Sequence, residues 1–352
     1  MNNYRFRTVL SAAAVILFIT AFFYDPALMG KAVGRGLTIC SSSVIPSLFP
    51  FMVVSGFLVD SGLCEVIGSK LAHLTGRIFG LPGRAAAVIL MSLVGGYPVG
   101  AHMTAQLVGD GSVSATDGRR MLLFCVNAGP AFIIGTVGSL MLGSRTSGII
   151  LYASLAAASL LTGAVSGLFG GRREYPAETA PGVEKISSPL ISSVSGAAAA
   201  MINVCAWIIL FSAVTGFCSA LPAGKNMMLV INAVLEVTNG CSGAAGALPL
   251  PVIALILGWG GAAVHCQLLP YLERTGMKYG VFLLSRLFNG CLAAAITALL
   301  LRLFPVELAV ISTASGLEAQ PYSVSVPSAA VLLALGAFAI MDSKELEVKR
   351  RL

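Results

Sequence analysis

The sequence predicts an all-α polytopic membrane protein, built as two inverted repeats with interrupted helices and re-entrant hairpins. Three observations predict it. Of 352 residues, 57% are hydrophobic and only 11% charged, against roughly 25% charged in an ordinary soluble protein. Mean hydropathy is +0.89. Apolar runs of about 20 residues, the length that crosses a bilayer as a helix, recur along the chain. Two further apolar runs are cut midway by glycine clusters, and a helix broken in hydrocarbon survives only inside protein or beside a water-filled cavity. A soluble fold, disorder, a collagen-like repeat and a disulfide scaffold are excluded. The 39 glycines agree, since membrane helices carry more glycine than soluble ones.

In chain order, Arg5 and Arg7 precede an apolar stretch to Phe23 with no small-residue cleavage site, which reads as an uncleaved first span at 8–29. Further spans are expected at 36–60, 118–142, 146–170, 195–220, 279–302 and 325–341. The interrupted runs are 84–108, broken at GGYPVG from Gly95 to Gly100, and 248–273, broken at GWGG from Gly258 to Gly261. Both are expected to be re-entrant hairpins, with full crossings as the alternative. The loop from Gly171 to Pro189 mixes charges of both signs with proline and serine and divides the chain. The resulting organisation is an N-terminal helix (1–30), a first repeat (31–170), a polar linker (171–189), a second repeat (190–302) and a polar loop, last helix and basic tail (303–352). Basic residues favour a cytoplasmic N-terminus. Seven spans, however, would place the tail KELEVKRRL outside and nearly erase that bias.

The net charge of +7 does not point to nucleic acid, because the basic residues sit at the ends of apolar runs and form no patch. The eight cysteines are scattered without a C-x-x-C pair and read as small buried apolar residues.

An internal repeat organises the rest. Residues 43–58 align without gaps to 203–218, pairing Val44 with Val204, Phe51 with Phe211, Val54 with Val214, Gly56 with Gly216 and Phe57 with Phe217. Leu81-Pro82 and Leu248-Pro249 then open matching runs that reach Gly95-Gly96 and Gly260-Gly261. Each continues through His102, Gln106, Arg120, Leu123-Phe124 and Asn127 in one half, and His265, Gln267, Arg286, Leu287-Phe288 and Asn289 in the other. Inverted repeats meeting at interrupted helices are the architecture of secondary transporters, with solute held near the midplane.

Polar residues inside spans are expensive and therefore informative. Glu236, in LEVTNG with Thr238 and Asn239, is the acid deepest in an apolar stretch. It reads as a proton or sodium site or a holder of solute donors, with an ion pair to Arg286 as the alternative. Arg286 offers a planar fork suited to carboxylates, or else snorkels or pairs with Glu236. Asn127 precedes Pro130, which releases helical carbonyls. His102 with Gln106, and His265 with Gln267, follow the glycine breaks and are expected to line the solute path. Asn289 follows Arg286 on the same span. The expected solute-binding set is thus His102, Gln106, Asn127, Glu236, Thr238, Asn239, His265, Gln267, Arg286 and Asn289. No metal ligands are expected, and no cofactor beyond a coupling proton or sodium ion. Without GxxxxGK[ST], HExxH or GxSxG, neither ATP-driven pumping nor enzymatic activity is expected. The expected partners are a small-molecule substrate and the lipid bilayer.

The runs IPSLFPF, GGYPVGA, RRMLLFCVNAGPAFIIGTVG, LEVTNG and GWGGAAVHCQ, in that order, resemble the YlbJ-type sporulation integral membrane proteins. The resemblance spans about residues 30 to 302. It implies two copies of the nucleoside-recognition, or Gate, domain and kinship with concentrative nucleoside transporters. It also implies a bacterial membrane location, with the outer forespore membrane for the best-described member type, and movement of dipicolinic acid, a flat aromatic dianion. A nucleoside or nucleobase carrier and a non-transporting assembly protein of sporulation are the alternatives.

Overall fold

The computed structural model describes Thr20, Phe23 and residues 25–169, 188–219 and 224–304. The first span up to residue 19, nearly all of the linker at 171–189, and the polar loop, last span and tail beyond residue 304 lie outside the described residues.

All regular elements among the described residues are helical. The first, α1 (Pro26–Ile39), is started by Asp25, whose carboxylate accepts from Leu28 N at 2.9 Å, with proline next in the chain where no donor is needed. It passes without interruption through a π turn (π1, Cys40–Val44) into α2 (Ile45–Asp60). The sequence suggested separate spans at 8–29 and 36–60; instead helical backbone runs unbroken from 26 to 60. No residue between 30 and 35 terminates it, because neither Gly30 nor Gly34 adopts a positive φ, and the wider π turn accommodates the missing N–H of Pro46 and the in-helix Pro50.

At Ser61–Gly62 the chain bends by 83° into α3 (Leu63–Phe79), with Gly62 at φ 76° making the corner. Next come α4 (Ala85–Val94) and α5 (Tyr97–Gly109), then the short amphipathic α6 (Ala115–Leu122), capped by Ser114 on Asp117 N at 3.1 Å. The span expected at 118–142 is not continuous: residues 123–129 have no regular structure, because Pro130 removes a helical hydrogen bond there, and a second π-wound helix follows (π2, Ala131–Met141). The first half closes with α7 (Arg145–Phe169). The second half contains α8 (Pro189–Ser219), α9 (Lys225–Leu235), α10 (Val237–Ala244), α11 (Leu250–Trp259), α12 (Gly261–Thr275) and α13 (Tyr279–Leu303).

Among the described residues, four runs are long and apolar enough to cross a membrane: Arg145–Leu168, Pro189–Ser219, Leu250–Thr275 and Tyr279–Leu303; the bent pair α2–α3 makes a fifth if it is one span. Their outward faces carry large apolar side chains, among them Leu168 at 82%, Ile191 at 70% and Leu284 at 66% exposure. In water such a surface would aggregate; against lipid it is the required solvent-facing coat. The chain is an integral membrane protein.

The two glycine-cut runs behave differently, which corrects the expectation of two hairpins. The α4–α5 run does fold back: a Cβ on Gly100 would lie 2.6 Å from Ser92 Cβ, eight residues away, where a straight helix would separate the two by about 12 Å. The α11–α12 run continues onward as a 26-residue crossing. Gly260 and Gly261, at φ 83° and 82°, dislocate its hydrogen bonding without reversing its direction.

The segments aligned with each other in the sequence pack together: helix α2 lies along α8, and α5 lies along α12. Elsewhere helices approach at glycine: Gly258 meets the backbone of Gly290, Gly138 meets Gly148, and Gly167 meets the carbonyl of Ile78.

Candidate functional site

A helix break in a membrane releases carbonyls that must find donors, so each break poses an accounting question. Here side chains supply the donors, and Tyr97 and Trp259 each tie one break to another.

The largest break is the non-helical stretch 123–129, which runs across the α4–α5 turn. Gly129 comes against Gly96 N and Val94 O, each 3.1 Å from where its Cβ would be, and Gly100 comes against the carbonyl of Cys125 with no room for a side chain. GGYPVG and VNAGP are therefore complementary halves of one crossing. Three carbonyls of the stretch are caught by side chains. Asn127 Nδ2 donates to Phe124 O at 2.9 Å and to Ser159 Oγ at 3.0 Å, and the Ser159 hydroxyl donates to Phe124 O at 2.5 Å. Arg286 on α13 donates through Nη1 to Val126 O and through Nη2 to Leu123 O at 2.6 Å; Asn289 Nδ2 also donates to Leu123 O at 3.1 Å. The released carbonyls expected near Pro130 thus exist, and they hold side chains of the same protein.

At the α11–α12 break, the Tyr97 hydroxyl donates to Leu257 O at 2.6 Å, linking the first residue of α5 to the second half. His265 Nε2 lies 3.0 Å from Trp259 O and Nδ1 lies 3.2 Å from the Tyr279 hydroxyl. A carbonyl only accepts, so Nε2 carries the hydrogen and Nδ1 of the neutral ring accepts from tyrosine. Both nitrogens are used, and His265 is a structural bridge between Trp259, whose ring is tilted by 53° to it, and Phe282, which it meets edge-on.

The α9–α10 break completes the set. Trp259 Nε1 donates to Val234 O at 3.2 Å. Glu236, 4% exposed, sits in the gap as the N-cap of α10 and accepts from Thr238 N at 3.0 Å and Asn239 N at 2.8 Å. Asn239 Nδ2 donates to Thr215 on α8 at 3.3 Å. Gly261 packs against Glu236, and Gly260 against the Tyr97 ring. The alternative of an ion pair between Glu236 and Arg286 is not what forms: the acid is held by two backbone amides, the base by two backbone carbonyls. Replacing Glu236 with Ala is expected to cost about 1–2 kcal/mol, as loss of a helix N-cap does. Asn at this position should recover most of that; thermal unfolding in detergent micelles measures both.

Of the ten predicted residues, Asn127, Arg286 and Asn289 share the 123–129 stretch, and Glu236, Thr238, Asn239 and His265 border the other breaks. Gln267 is buried on α12. His102 and Gln106 lie farther along α5, away from the breaks. Sequence reading missed Tyr97, Trp259 and Ser159. The first two had a signal, since each is the bulky hydrogen-bond donor embedded in a glycine cluster; Ser159 had none.

One electrostatic feature stands out. Arg286 is 2% exposed, lies 5.5 Å from the Phe282 ring centre, and pairs with no carboxylate among the described residues. Carbonyl dipoles and a ring face offset only part of the several kcal/mol that burying an unneutralised charge costs.

The family model for nucleoside recognition, Gate, matches residues 41–171. The chain is similar to the sporulation integral membrane protein YlbJ of Bacillus subtilis (strain 168), at 24% identity over 85% of this chain and 84% of that protein. No solved structure matches it significantly. The domain match over residues 41–171, the similarity along most of the chain and the helical membrane architecture together support a YlbJ-type protein.

Proposed function

We propose that the protein is a secondary transporter of a small anionic solute, with dipicolinate as the substrate and spore formation as its setting. The observation that carries this reading is Arg286, a buried cation without a carboxylate partner among the described residues, placed where broken helices meet. A membrane protein retains such a charge when a mobile anion neutralises it for part of a cycle. The N-termini of α5 and α12, joined through Tyr97, add favourable dipole ends for a carboxylate. In this reading the described state is closed, with Arg286 latched on the carbonyls of Leu123 and Val126. An arriving dicarboxylate takes over the guanidinium fork, and the 123–129 stretch is released to move. The two halves would act as inverted repeats rocking about this point.

The nucleoside reading loses support, because the groups it needs for ribose and base edges are already engaged: Asn127 with Phe124 O and Ser159, Asn239 with Thr215, and Glu236 with two backbone amides. The test is uptake of labelled dipicolinate into liposomes containing the purified protein, with excess uridine in a parallel sample. Saturable uptake that uridine leaves intact is the expected result. Uptake abolished by uridine would replace the anion site with a nucleoside-type site. No uptake by folded protein under any proton or sodium gradient would reject transport in favour of an assembly role.

A further inference from the structure

We propose that His102 is the proton-carrying residue of this transporter, with water held between its ring and Gln106; this rests on the transport reading above and names its coupling ion. The argument begins with helix spacing. Pro98, His102, Gln106 and Asp110 recur every fourth residue and so share one face of α5. That face leads from the break at Gly96–Tyr97 to Asp110, which is exposed at the helix end.

Along it, His102 Nδ1 and Gln106 Oε1 are both buried without a hydrogen-bond partner in the protein. This sets His102 apart from its counterpart after the second glycine break, since both nitrogens of His265 are engaged. Each unpaired buried polar atom is costly, and two on adjacent turns of one face are a built feature rather than an isolated packing fault. Bound water suits them, as it pairs buried polar groups of this kind. One imidazole nitrogen and one amide oxygen are too few oxygen ligands for a hard cation. Histidine, however, changes charge near neutral pH, which suits it to loading and releasing a proton.

The charged and titratable groups around this face are few. Helix α12 presents Tyr271, edge-on to the His102 ring at 5.6 Å between centres, and Arg274 within electrostatic reach. On α6, Asp117 pairs with Arg120 at 3.4 Å and Arg119 donates to Thr275 O at 3.3 Å. Helix α2 contributes Asp60 at its far end, accepting from Ser193 at 3.2 Å; α4 has no titratable residue; α5 itself adds Tyr97 and Asp110. Among the described residues of this path, His102 is therefore the one imidazole.

The experiment compares two modes in the same liposomes. Accumulation of labelled dipicolinate driven by a pH gradient requires net proton movement; exchange of external labelled for internal unlabelled dipicolinate does not. Wild-type protein should perform both. His102→Gln should lose gradient-driven accumulation while exchange persists, and Gln106→Met should weaken accumulation and shift its pH dependence, again with exchange persisting. Gradient-driven accumulation by His102→Gln at the wild-type level would overturn the proposal, as would loss of exchange together with accumulation in both variants. Wild-type uptake indifferent to pH would overturn it while leaving the transporter standing. Absence of any wild-type uptake would remove the transport reading and this inference with it.

Discussion

Arg286→Leu is expected to abolish dipicolinate uptake while leaving the folded protein no less stable than wild type. The two halves of that expectation come from weighing what the side chain holds against what it costs. Removing it strips Val126 O of its donor, whereas Leu123 O keeps Asn289. One orphaned buried carbonyl costs about 1–3 kcal/mol. Against this, the substitution relieves an unneutralised buried charge, whose effective penalty is several kcal/mol, and a hydrophobic replacement of similar volume is commonly neutral or stabilising. A melting temperature at or above wild type, with uptake lost, would mark an arginine kept for a ligand. Arg286→Lys preserves the charge but not the planar fork, and should retain uptake with a raised KM. A fall in stability of about 3 kcal/mol or more in Arg286→Leu, read by thermal or denaturant unfolding in micelles, would instead make the residue a structural clamp on the 123–129 stretch. The anion reading would then lose its main support.

Gly100→Leu should prevent the protein from accumulating in the membrane, and Gly100→Ala should lower its stability by about 3 kcal/mol, the upper end for forcing extra volume into packed structure. A Cβ at this position collides with the carbonyl of Cys125 and lies 2.6 Å from Ser92 Cβ. The first obstacle is backbone, so no rotamer change relieves it; α5 must move off the 123–129 stretch or the hairpin must open. Gly109→Ala on the same helix is the control. Nothing lies within 4 Å of its Cβ position, and alanine is the better helix former by about 1 kcal/mol, so this variant should be neutral or slightly stabilised. Membrane yield together with thermal unfolding in micelles separates the pair. Gly100→Ala behaving like Gly109→Ala would mean that the crossing of GGYPVG and VNAGP does not form as described.

How far the sequence carries can be followed residue by residue. Membrane insertion, the helical class and the two glycine-cluster breaks were legible because they follow from local composition; the break at 123–129 inside an expected span, and the one at Glu236, were not. A charge-poor chain cannot coat a soluble fold, and glycine's backbone freedom weakens a helix wherever it clusters. Arg286, Glu236 and Asn127 were legible as residues with a task, because a polar group in hydrocarbon always needs a partner. Their partners were not legible. Nothing local says that Arg286 reaches Leu123 and Val126, 163 and 160 residues away, or that Glu236 caps a helix starting at its own position instead of meeting Arg286.

The same division explains the correction at the second glycine cluster. GGYPVG and GWGG both break hydrogen bonding, but whether the chain then reverses or goes on depends on what packs against the break. At Gly100 the Cys125 carbonyl and Ser92 fit only a folded-back α5. At Gly260 and Gly261 the Tyr97 ring and Glu236 fill the gap, and the Leu257 and Trp259 carbonyls are paid off by Tyr97 and His265. The sequence by itself determined that this protein lies in a membrane, that it is helical and that its two glycine clusters interrupt helices, because hydropathy and backbone freedom are properties of short segments. Only the tertiary structure decided where the remaining breaks fall, which donors satisfy which carbonyls, which run turns back, and that Arg286 meets no acid among the described residues, because those are settled by contacts between segments far apart in the chain.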